Sequence, residues 1–221
     1  MRRTIGYLGE EAETAIRVFY SLKEFRLWVS REEDVKLINK NPHFWRMFET
    51  SVRTHLFICI RRLYEGDSNT FNFQQFINLC VKNVTEFSGR ALRDRKVAAS
   101  HNANEWIDEY MINTHQPTIE DFYALSRLVR ENSKRMKGKY TEIASQVYAH
   151  AVHTDDSYIA KISEDLSFDE MESALTSIWH CYRQFWEMFE NGRKPNLEIA
   201  KYPYQKEVIN SLREMLDKEH A

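Results

Sequence analysis

The sequence predicts an all-α fold: a single-domain helical bundle with one long central helix pair and a C-terminal helix. Three observations carry that prediction. Glycine and proline are scarce, six and four in 221 residues, well under the roughly 12% the two make together in an average protein. Sheet folds of this size need many tight turns, and such turns draw on both residues. Long segments repeat apolar residues at helical spacing. The 43% apolar content, with thirteen Phe, eleven Tyr and five Trp, supplies enough surface for a packed core.

The elements follow in order. A first helix is expected from about Gly9 to Ser30, with Ile16, Phe19, Tyr20, Phe25 and Trp28 as its apolar positions. Asn41-Pro42 starts a second, since asparagine caps and proline suits the first turn. From His43 to Tyr64 the apolar arc is wide (Phe44, Trp45, Phe48, Val52, Leu56, Phe57, Ile60, Leu63), which marks a central helix. Gly66-Asp67-Ser68-Asn69 ends it. A helix over about Phe71 to Asn83 precedes a polar, arginine-rich stretch from Ser88 to Asn104. A short helix is expected over Glu105 to Asn113.

Thr118-Ile119-Glu120-Asp121 resembles a capping box. It opens the longest periodic segment, about Ile119 to Ala151. Phe122, Leu125, Val129, Met136, Tyr140, Ile143 and Val147 fall within about 60° of one another on a helical wheel. Gly138 lies inside this helix, where it weakens or bends it. Ser167-Phe168-Asp169-Glu170 is a second capping box and opens a helix to Glu190, which Asn191-Gly192 closes. Pro195 and Pro203 punctuate a linker before a last amphipathic helix, about Tyr204 to Lys218. One domain over residues 1–221 fits, because no long polar linker interrupts the helical pattern.

Composition excludes several functions. The formal charge is −2, so a nucleic-acid site must be a local patch. The longest stretch without a charge, Ser68 to Val81, is shorter than the roughly 20 apolar residues of a membrane span. No apolar run follows the arginines near the N-terminus, so no secretory signal is expected. Cys59, Cys80 and Cys181 are odd in number and widely spaced. They read as reduced, buried thiols of a cytoplasmic protein.

Five features could carry chemistry. In Tyr148-Ala149-His150-Ala151-Val152-His153-Thr154-Asp155-Asp156, two histidines three apart face one way beside carboxylates. That suits acid–base work or metal ligation, against the plain reading of histidines at a helix C-terminus. The basic run Arg127, Arg130, Lys134, Lys137 shares one arc away from the apolar stripe and would attract phosphates. The bland alternative is a solvated helix face. Arg62 and His55 share a stripe of a helix expected to be buried, where arginine needs an acceptor such as Asp67 or Asp155. Arg95 and His101 form a weaker pair in the basic stretch. His180 falls opposite the apolar stripe of its helix and is expected to be exposed.

The order of parts then carries a resemblance. A central aromatic helix ends in Arg61-Arg62-Leu63-Tyr64, Tyr148-Ala149-His150 follows at the end of a long helix, and an aromatic helix reads Ile178-Trp179-His180-Cys181-Tyr182-Arg183-Gln184-Phe185-Trp186. Over about residues 10–192 this resembles the HEPN superfamily, in its abortive-infection U2-like branch. The resemblance implies a defence or toxin–antitoxin protein: a metal-independent ribonuclease acting as a homodimer, with no cofactor. An antitoxin or nucleotidyltransferase partner is also implied.

In such enzymes histidine moves the proton of the RNA 2′-hydroxyl and arginine stabilises charge on the phosphate. His150 matches the histidine. The arginine does not match, because Ile143, Ala144 and Ser145 occupy its positions. Lys139 and Arg135 lie about 16 and 22 Å back along the helix, too far for one phosphate. Arg62, from the neighbouring helix, is the expected substitute, with Asp155 completing the catalytic set; a cation from the partner protomer across a dimer interface is the other option. A catalytically degenerate module that binds RNA, a nucleotide or a protein is the alternative. A metal enzyme built on His150, His153 and Asp155 ranks below both, since no carboxylate-rich partner helix is present.

Overall fold

In the computed structural model, described for residues 1–64, 71–143 and 167–217, every regular element is helical. The elements are α1 (Arg2–Trp28), α2 (Glu32–Ile38), α3 (Pro42–Tyr64), α4 (Phe73–Lys82), α5 (Gly89–Ala99), α6 (Ile107–Ile112), α7 (Ile119–Ile143), α8 (Phe168–Asn191) and α9 (Gln205–Asp217). Single 3₁₀ turns lie at Val84–Phe87 and Ala103–Glu105.

The central elements obey local rules. Thr118 and Asp121 exchange bonds at the start of α7: the Thr118 N–H donates to Asp121 Oδ2 (2.8 Å) and the Asp121 N–H to Thr118 Oγ1 (3.3 Å). The Ser167 hydroxyl accepts from the Glu170 N–H (3.3 Å) to start α8. Gly192, at φ 60°, ends α8, and the Arg193 N–H closes back on Glu187 O at 3.2 Å. A Cβ there would meet Leu92 and Thr114, so the left-handed turn and the close approach both select glycine.

The bundle is organised on α1, which packs along α3 on one side and α8 on the other. α7 packs lengthwise on α8 and also touches α3, completing a four-helix core. Ile5, Leu8, Ile16 and Phe19 of α1 are buried with Leu56, Phe57 and Ile60 of α3, Phe122, Leu125, Val129 and Tyr140 of α7, and Leu175, Ile178 and Phe185 of α8. Tyrosines strut the core by reaching backbone carbonyls: Tyr64 donates to Ala174 O and Tyr140 to Ser167 O, both at 3.0 Å. A smaller cluster of Phe25, Trp28, Ile38, Trp45 and Leu212 joins the end of α1 to α2, α3 and α9.

Four features depart from the sequence reading. α1 starts at Arg2, not near Gly9, because buried Ile5 and Leu8 extend the period of Ala12 and Ile16. Gly9 is there for space: the Tyr182 ring stands where a Cβ would be. α2 was not foreseen, being too short to show a period, yet Glu32, Glu33 and Asp34 give it a suitable acidic first turn. The polar stretch after Ser88 holds a helix, α5, capped by the Ser88 hydroxyl and buried through Leu92.

The fourth departure is His180, which is 2% exposed rather than solvated. It does lie away from the apolar stripe, but the chain after α8 folds back over it. Its Nε2 donates to Asn196 O (2.9 Å), and the Ala200 N–H donates to its Nδ1 (3.3 Å). Gln184 holds the same strap by accepting from the Asn196 N–H at 2.8 Å.

Candidate nucleic-acid interface

Three of the four cations read as a basic arc are exposed on α7. Arg127, Arg130 and Lys134 point away from buried Phe122, Leu125 and Val129, as helical spacing requires. None of the three is ion-paired with another described residue. Several other surface arginines are engaged instead. Arg2 pairs with Glu190, Arg26 with Glu49, Arg93 with Asp108 and Arg213 with Glu24. In a chain of net charge −2, α7 therefore presents a local positive face. Lys137, further along α7, lies outside the described side chains, as do the apolar positions Met136 and Ile143.

Arg62 sits in the last turn of α3 and is exposed, which corrects the expectation of burial. The end of α3 turns this stripe outward at α1, where Arg62 donates to Glu11 at 3.3 Å. His55, two turns earlier, is exposed as well. His150, His153, Asp155 and Asp67 lie outside the described residues.

Arg95 and His101 are not brought into one site by any described contact. Arg95 is half-buried, with its guanidinium 3.8 Å over the Phe189 ring. It donates to Phe189 O (2.6 Å) and Glu86 O (2.8 Å), tying α5 to the end of α8. Burial lowers its pKa despite Glu190 nearby. His101 is exposed after α5 and lines a cavity of about 270 Å³ with Val97, Ser100 and Asn104.

Two polar clusters were missed. Glu13 of α1 accepts from Trp179 Nε1 (2.8 Å), Arg17 Nε (2.9 Å) and the Tyr202 hydroxyl (2.5 Å). Burial and then the bond to Glu13 push the Tyr202 phenol up, so it remains a donor. No spacing rule joins positions so far apart in sequence. The other is His115, whose Nε2 lies 2.9 Å from Asp121 Oδ2. Burial raises the Asp121 pKa, but bonds from the Thr118 N–H, His115 and the Thr118 hydroxyl outweigh it and hold the carboxyl below its usual value. The capping box flagged Asp121; nothing flagged His115.

The three cysteines are buried and free. Burial pushes the Cys59 thiol up to about 11 and the other two higher still, so they are poor nucleophiles. Among the described residues no cluster of His, Cys, Asp or Glu has the makings of a metal site. No described helix is long and apolar enough to cross a membrane.

No curated protein and no solved structure matches this chain significantly. The model of the AbiU2 family of HEPN proteins matches residues 2–215. That span takes in all nine described α-helices but the last two residues of α9. With the all-α bundle and its long α7–α8 pair, it agrees with the resemblance read from the motifs: the chain belongs to the AbiU2 family of HEPN proteins, an abortive-infection family.

Proposed function

We propose that this chain acts in defence by binding RNA, with the exposed face of α7 as the phosphate-binding surface. The observation that supports this best is the set Arg127, Arg130 and Lys134, exposed on one face and not ion-paired within the described residues. Many other arginines are engaged by carboxylates, whereas these three lie together along one helix face, spaced to meet a phosphate backbone.

The cleavage half of the reading rests on the resemblance. His150 moves the proton of the 2′-hydroxyl, Arg62 stabilises the phosphate and Asp155 orients the histidine, in a homodimer that needs no metal. The exposure of Arg62 favours this second step, because a buried arginine could not meet a substrate.

Fluorescence anisotropy with labelled RNA tests the binding. Affinity should fall with salt at a log–log slope of about −2 for three contacts on a single strand. The triple variant Arg127→Glu, Arg130→Glu, Lys134→Glu should bind weakly with a flattened slope. A slope that does not change would remove α7 from the interface. RNA cleavage in the presence of a chelator, comparing wild type with His150→Ala and Arg62→Ala, tests the second half. Equal cleavage by all three would eliminate that site.

A further inference from the structure

The positive face of α7 has an aromatic head. Tyr123 is 46% exposed, one turn before Arg127. At 100° per residue, Tyr123, Arg127, Arg130 and Lys134 fall within about 60° of one another, spaced about 6, 4.5 and 6 Å along the axis. The exposed acids Glu120 and Glu131 both lie on one edge of this arc, so the positive strip is bounded on that side.

Other exposed rings are held by neighbours. Tyr7 packs edge-on to Phe71, Phe44 on Trp45, and Tyr204 on Tyr202 with Arg17 over it. Tyr123 makes no ring contact and no hydrogen bond within the described residues. Its backbone is nonetheless rigid, since Phe122 and Leu125 beside it are fully buried. A flat apolar ring on a rigid helix, in line with three free cations, matches what an unstacked nucleobase needs: a π-face beside a charged track for its phosphates.

We infer that Tyr123 is a base-stacking platform, and that the α7 face takes single-stranded RNA with one base on this ring and the adjoining phosphates along Arg127, Arg130 and Lys134. The inference rests on the RNA-binding reading above. The discriminating physics is simple. Cations attract the phosphates of a duplex and of a single strand alike, whereas bases inside a duplex are already stacked on each other and offer the ring nothing.

The test uses the full chain and 2′-O-methyl RNA, which lacks the hydroxyl needed for cleavage. One oligonucleotide is presented single-stranded and as a duplex, across a salt series. Tyr123→Ala should weaken the single strand about tenfold, leave the duplex unchanged and keep the salt slope, since no charge is removed. Tyr123→Phe keeps the π-face and should bind like wild type. Circular dichroism melting confirms that both variants fold. The inference is overturned if Tyr123→Ala leaves single-strand binding intact, weakens both RNAs equally, or is matched in weakness by Tyr123→Phe. Absence of any RNA binding by the wild-type chain would instead overturn the underlying reading. Binding that the triple charge reversal abolishes and Tyr123→Ala leaves alone would keep that reading and remove the platform.

Discussion

The Tyr202 hydroxyl donates a 2.5 Å hydrogen bond to Glu13, joining the strap after α8 to the middle of α1. Glu13 also takes the Trp179 indole N–H, so one carboxylate gathers α1, α8 and the strap. Tyr202→Phe should cost about 1.5–3 kcal/mol, the range for a hydrogen bond to a charged group. Glu13→Ala should cost more, because, of its three donors, it strands the two buried ones, Trp179 and Tyr202. Urea midpoints would measure both. An unchanged Tyr202→Phe would mean that water replaces the bond without loss.

Arg62→Ala should barely change stability. Its side chain is exposed and its bridge to Glu11 is a surface pair, worth about 0–1 kcal/mol. Thermal unfolding within about 4 °C of wild type is expected. Loss of RNA cleavage in this variant would then report on chemistry and not on folding.

Acid should loosen the start of α7. The Asp121 carboxyl is held below its usual value, so its contribution is fully present above the ordinary carboxylate pKa and is lost as pH falls through the lowered value. Urea midpoints measured from neutral pH into the acid range should drop more steeply for wild type than for Asp121→Asn. Parallel curves would show that the cap does not titrate with folding.

Arg95→Lys should destabilise by about 1–2 kcal/mol, since lysine lacks the planar fork that reaches two carbonyls while stacking on Phe189. Any RNA cleavage should continue at the wild-type rate below the melting temperature. A large loss of cleavage in a folded Arg95→Lys protein would restore the Arg95–His101 pair as a site.

What could be read from the residues follows from the range of the forces involved. The capping boxes at Thr118 and Ser167, the Asn41-Pro42 start and the Gly192 stop are local, and each appears at its expected place. The apolar stripe of Phe122, Leu125, Val129 and Tyr140 is likewise a property of one helix. His180 and Arg62 failed for the opposite reason. Whether a helix face is wet depends on what the rest of the chain lays over it. A strap sixteen residues downstream covers His180, while no described element covers the turn that carries Arg62. The α7 cations form an arc that one helix dictates; their lack of carboxylate partners among the described residues depends on the rest of the fold.

The placement of α1 has a consequence for how the chain is made. Its contacts with α8 span most of the sequence: Tyr20 and Lys23 to Glu172, Trp179 to Glu13, Arg2 to Glu190. α1 leaves the ribosome well before α8, the helix that covers one of its flanks. Until then Ile5, Leu8, Ile16 and Phe19 are only partly sheltered by α3. Docking of α8 on α1 is thus a late, long-range step, and until it happens the nascent chain carries a helix with an open apolar flank that chaperones or premature association would engage.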